Sequence, residues 1–132
     1  MKKIILILSF LFVSLLTFAQ AEMTFETAEH DFGAIAYGGD GSHIFTYTNT
    51  GNQPLIILDV KTSCGCTTPT YTKAPLKPGE TGLITVEYDT SKEGSFNKTI
   101  TITSTAKNSP FELKISGEVE LIQAKDNVKT LN

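Results

Sequence analysis

Between about residue 23 and residue 120 apolar and polar residues alternate with a period of two, and helical periodicity is almost absent. Phe111, Leu113, Ile115, Gly117 and Val119 fall on one side of an extended chain, and Glu112, Lys114, Ser116, Glu118 and Glu120 on the other. That is the pattern of a strand with one buried and one wet face. The stretch Phe96 to Ser104 repeats it, with Ile100 and Ile102 inward and Thr99, Thr101 and Thr103 outward. Ile84, Val86 and Tyr88 define a third strand and Phe45 and Tyr47 a fourth, each separated by outward-facing polar residues. Leu55-Ile56-Ile57-Leu58, followed by Val60, is a continuous apolar run and predicts a strand covered on both faces, or one at a crowded place in the sandwich. Two weaker strands are expected near Met23 to Thr27 and Phe32 to Ala36.

Turn clusters divide these segments at Gly38-Gly39-Asp40-Gly41, Asn49-Thr50-Gly51-Asn52, Lys77-Pro78-Gly79-Glu80 and Lys92-Glu93-Gly94-Ser95. Proline followed by glycine at 78 and 79 suits a type II turn. About seven short strands at this spacing predict an all-β, immunoglobulin-like sandwich, a small barrel being the alternative. The chain has no tryptophan, and its two cysteines, Cys64 and Cys66, stand two apart. They cannot form the inter-sheet bridge of antibody domains, so the apolar core alone must hold the two sheets together.

The amino terminus points to export. Lys2 and Lys3 precede an apolar run from Ile4 to Phe18, which closes on the small residues of Ala19-Gln20-Ala21. This is the charged, apolar and cleavable series of a signal peptide, with the cut expected after Ala21. An apolar core of about 15 residues is shorter than the roughly 20 that span a bilayer. The expected division is therefore a signal peptide at 1–21, one sandwich domain at 22–120 and a polar tail at 121–132. The formal charge is −3, and it becomes more negative once Lys2 and Lys3 are removed. A mildly acidic domain without a basic cluster speaks against nucleic acid and against an electrostatic membrane surface as partners.

Read in order, the strands and turns form a longer signature. It runs His30-Asp31-Phe32-Gly33, Phe45-Thr46-Tyr47-Thr48-Asn49-Thr50-Gly51, Pro54-Leu55-Ile56-Ile57 and Ser63-Cys64-Gly65-Cys66-Thr67. It continues with Leu76-Lys77-Pro78-Gly79-Glu80 and Gly94-Ser95-Phe96-Asn97-Lys98-Thr99-Ile100, and closes with Ile115-Ser116-Gly117-Glu118-Val119. The ordered series resembles domain of unknown function (DUF) family 1573, small exported proteins typical of the Bacteroidota. That family is similar in turn to the immunoglobulin-like sandwiches of major sperm protein and of the ASPM/SPD-2/Hydin type. The resemblance implies a fold and a compartment, and it carries no activity with it.

Cys64-Gly65-Cys66 is the constellation with most chemical content, and three readings of it stay open. A local disulfide is allowed in an oxidising compartment. It requires Gly65 to turn the chain, because residues two apart on an extended strand place their Cα atoms about 6.6 Å apart. Closing so small a loop would contribute only about 1.6 kcal/mol. The pair could instead exchange with other disulfides or hold a soft metal such as Cu(I). Zinc normally takes four ligands, and His30 and His43 are distant in sequence. In the third reading both thiols are reduced and structural.

His30 and His43 read as turn or surface residues, and the carboxylates of Glu112, Glu118 and Glu120 as a solvated strand face. Asn97-Lys98-Thr99 matches a glycosylation sequon, of little weight in the bacterial source that the resemblance implies. With no legible catalytic arrangement and no cofactor motif, the expectation is a non-catalytic binding or structural module, not an enzyme. Its partner is expected to be a protein or other envelope component, in the periplasm or outside the cell. The alternative is a thiol-redox or soft-metal protein that uses Cys64 and Cys66. The partner site is expected in the Ser63 to Lys77 loop, with Tyr71 as a contact residue, or along an open sheet edge.

Overall fold

The computed structural model describes residues 19–121, and the Ile4–Phe18 run and most of the polar tail lie outside them. Eight strands form two four-stranded sheets, and no helix occurs among the described residues. The strands are β1 (Met23–Phe25), β2 (Glu29–Ala36), β3 (Ser42–Asn49), β4 (Ile57–Thr62), β5 (Thr67–Tyr71), β6 (Thr81–Tyr88), β7 (Gly94–Ser104) and β8 (Phe111–Glu120). One sheet has the order β1-β3-β6-β5 and the other β2-β8-β7-β4. All pairings are antiparallel except β2 with β8, which run parallel, with Glu29 opposite Lys114 and Ala36 opposite Glu120. The chain therefore starts in one sheet as β1 and crosses to the far edge of the other as β2.

The two-residue period is what closes the sandwich. Phe45, Tyr47, Ile84 and Val86 from one sheet, and Ile100, Ile102, Leu113, Ile115 and Val119 from the other, are each at most 2% exposed. Each such side chain contributes about 1.5–3 kcal/mol through its removal from water, and the layer they form joins the two sheets. Tyr88 also faces inward, its ring stacked on Phe96 at 3.8 Å between centroids.

One sequence expectation is corrected. The Leu55–Leu58 run is not a strand covered on both faces. Leu55 makes a single bridge to Leu76, β4 begins only at Ile57, and Leu58 is 61% exposed. The sandwich has only two layers, so the outer face of β4 meets water. The expected sandwich of about seven strands is present with eight. The segment after Cys66 contains an eighth, β5, whose Thr67-Thr68-Pro69-Thr70-Tyr71 shows no apolar alternation.

Loops gather at two poles. The segments 37–41, 63–66 and 89–93, with the end of β8, form one pole; the entering chain at 20–22 and the segments 50–56, 72–80 and 105–110 form the other.

Candidate functional site

At the first pole Cys64 and Cys66 are joined as a disulfide, with their Cα atoms 5.3 Å apart. The intervening Gly65 is exposed and Cys64 half-buried, whereas Cys66 is 8% exposed and packs on the core. The loop is braced from several sides. The Thr62 hydroxyl donates to the Cys64 carbonyl at 2.7 Å, and the Cys66 amide donates to Cys64 Sγ at 3.3 Å. The Ser63 amide donates to the Thr99 carbonyl at 3.0 Å, and the Thr99 amide donates to Ser63 Oγ at 3.1 Å. The Asp89 amide donates to the Cys66 carbonyl at 2.8 Å, which ties the loop to the β6–β7 connection.

That connection is itself ordered by side chains. The Ser91 amide and hydroxyl both donate to Asp89 Oδ1, and these bonds hold the Asp89 carboxyl below the usual carboxylate range. Gly38 donates its amide to the Thr90 carbonyl at 3.1 Å, and the Thr90 hydroxyl donates to the Gly39 carbonyl at 2.7 Å. The connection from β2 in one sheet to β3 in the other is thus fixed to the same group and presents Tyr37, 48% exposed, beside it. Three loops from distant parts of the chain form one hydrogen-bonded surface.

Tyr71 does not belong to it. It is the last residue of β5, opposite Ile84, and is half-buried against the core. The expected Ser63–Lys77 partner loop is therefore two features separated by a strand, because β5 carries the chain from one pole toward the other. The Lys77–Glu80 turn does form, with the Glu80 amide donating to the Lys77 carbonyl at 3.0 Å.

The histidines are also corrected. Neither is an isolated turn residue. His30 lies within β2 and His43 within β3, and their rings stack across the two sheets at 3.6 Å with 9° between planes. Phe32 meets His30 edge-on at 4.5 Å, and Phe45 meets His43 edge-on at 4.7 Å. Burial first, and then the neighbouring His30, hold His43 below its ordinary pKa. Gly33, at φ 65, marks an interruption in the β2–β8 register, and its amide donates to Asp31 Oδ1 at 2.8 Å. Sequence distance concealed the pair, since only the crossing of β2 to the second sheet lays it over β3.

Of the residues expected around the leader cut, Ala19 is exposed, whereas Ala21 is 2% exposed and bridges Ala106. An open cleft of about 480 Å³ lies where β2, β8 and β7 meet, lined by Asp31, Gly33, Phe96, Ser116, Gly117 and Glu118 among others. No cluster of three or more His, Cys, Asp or Glu side chains that could hold a metal occurs among the described residues.

The family described as "Protein of unknown function (DUF1573)" matches residues 23–119. No curated protein matches the chain. Among solved structures, a protein of unknown function from Porphyromonas gingivalis W83 is similar at 23% identity and a TM-score of 0.68. The match covers 80% of this chain and 50% of that one, so the chain spans half the length of that relative. The ASH/PapD-like domain 7 of human CEP192 is similar at 8% identity and a TM-score of 0.62, covering 83% of this chain and 93% of that domain. The secreted serine protease VesC from Vibrio cholerae is similar at 15% identity and a TM-score of 0.58, over 83% of this chain but 25% of the protease. At these identities the likeness is one of fold: an immunoglobulin-like, PapD-like sandwich.

Proposed function

The chain belongs to the family of unknown function DUF1573, and from that membership we propose that it is an exported, non-catalytic module that binds a component of the cell envelope. The observation that carries the proposal is the three-loop pole. Binding sites are disproportionately built from loops held by a rigid scaffold. Here Tyr37, Ser63, Gly65 and Ser91 are exposed on loops whose backbones are fixed to one another. A disulfide at Cys64–Cys66 accords with an oxidising compartment and so with export. The edges of the first sheet are the weaker candidates, because β5 carries Pro69 and β1 is three residues long.

Envelope extract passed over the immobilised mature domain, and over a Tyr37→Ala, Ser63→Glu variant, tests this reading. A protein retained by the first and lost by the second supports the pole as the site. Equal retention would place the site elsewhere.

One observation keeps a thiol-redox reading in second place. The Cys66 amide donates to Cys64 Sγ, and such a bond would stabilise a Cys64 thiolate after reduction. A Cys64→Ser, Cys66→Ser variant separates the two. A binding module keeps its partner, whereas a thiol exchanger or a soft-metal carrier loses its function altogether.

A further inference from the structure

Resting on the reading of the amino-terminal run as an export leader, we propose that the leader is cut between Ala19 and Gln20, and that Gln20 and Ala21 belong to the mature fold. The sequence pattern favours a cut after Ala21, which puts Ala19 and Ala21 at the two positions where a signal peptidase accepts small side chains. The fold needs the two residues such a cut would remove.

The backbone of residues 20–22 is gripped from both sides. On one side the Gln20 amide donates to Asn52 Oδ1 at 2.7 Å and the Asn52 amide donates to the Gln20 carbonyl at 2.9 Å. The Thr50 amide donates to the Glu22 carbonyl at 2.9 Å. On the other, the Lys107 amide donates to the Ala21 carbonyl at 2.9 Å, and Lys107 Nζ lies 3.2 Å from the Glu22 carboxylate. Ala21 itself is 2% exposed against Ala106.

Gly51 is an independent record of the same contact. A Cβ at this position would stand 2.2 Å from the Gln20 carbonyl oxygen and 2.7 Å from the Ala21 carbonyl carbon. Its φ is not positive, so no backbone conformation demands glycine there. What demands it is the close passage of Gln20 and Ala21, with the Glu22 nitrogen at 2.6 Å beside them, and the Gln20 and Ala21 contacts exist only if those two residues remain.

A cut one bond after Ala19 preserves every one of these contacts. Thr17 and Ala19 then supply the small residues the peptidase reads. Water adds to the Ala19 carbonyl carbon, the bond to Gln20 nitrogen breaks, and the nitrogen leaves as an amine that takes up a proton. The resulting ammonium is a stronger donor to Asn52 Oδ1 than the amide it replaces.

The test is the intact mass of the protein exported by a bacterium that carries the complete chain with its own leader. The expected product begins at Gln20, including the form that has lost ammonia when an amino-terminal glutamine cyclises. A product that begins at Glu22, or at any residue other than Gln20, overturns the proposal and leaves the export reading standing. A product that retains Met1 overturns cleavage of the leader, and the proposal with it.

Discussion

Asn49 shows how a single side chain can organise a turn. It is fully buried, and its Nδ2 donates to the Gln53 and Leu76 carbonyls at 2.7 and 3.0 Å while its Oδ1 accepts from the Gly51 amide at 3.1 Å. Asn49→Ala takes the side-chain partner from the Gln53 carbonyl and the Gly51 amide, while the Leu76 carbonyl keeps the Leu55 amide at 2.8 Å, at a cost of roughly 1–3 kcal/mol. Urea unfolding should show that loss, while Asn52→Ala at the exposed face of the same turn stays within about 1 kcal/mol. His43 predicts a pH dependence. Its pKa is depressed in the fold, so below its ordinary value the unfolded chain binds the proton more tightly than the folded one. Its stabilising contribution is intact above about pH 6.5 and is lost as the pH falls through the depressed value. The urea midpoint should fall between pH 7.5 and pH 5, and His43→Phe should flatten that fall. An unchanged slope in the variant would assign the pH dependence to the carboxylates instead.

At the scale of strands, the edges govern whether copies of the sandwich can pair strand to strand. Pro69 lies in β5, beyond which its sheet has no further strand. A proline offers no amide to an incoming chain, and such residues are the usual protection of an exposed edge. Pro69→Val should leave the unfolding midpoint nearly unchanged and raise self-association at high concentration, measured by light scattering. The same strand marks the limit of what the sequence reveals. β3, β6, β7 and β8 were legible because each buries one face, which writes a two-residue period into the chain. β5 was not, because threonine serves both of its faces and only backbone pairing to β6 makes it a strand. The Leu55–Leu58 run misled for the opposite reason, since apolarity is continuous there although Leu58 faces water. In the candidate site, Cys64 and Cys66 were identifiable by residue type alone. Their braces at Asp89 and Thr99, and the loop at 37–41, come from segments that only the folded topology brings together.

For the molecule as a whole, the disulfide is peripheral to stability. It closes a loop of three residues at one pole, while the two sheets are joined by Phe45, Ile84, Ile100, Leu113 and their neighbours. Reduction of the disulfide should therefore lower stability by no more than about 1.6 kcal/mol, with the fold intact by circular dichroism; a larger loss would make the pole part of the folding core. The placement of the two ends of the described domain has a mechanical consequence. The chain enters at the pole of Asn52 and Lys107 and leaves β8 at the opposite one, beside Ala36 and Gly94. Tension between those ends runs along the strands. It would strain the β1–β3, β2–β8 and β7–β8 hydrogen bonds together, in shear, instead of opening them one at a time like a zipper. A domain strung this way should resist extension between Gln20 and Glu120 more than one whose strands peel apart singly.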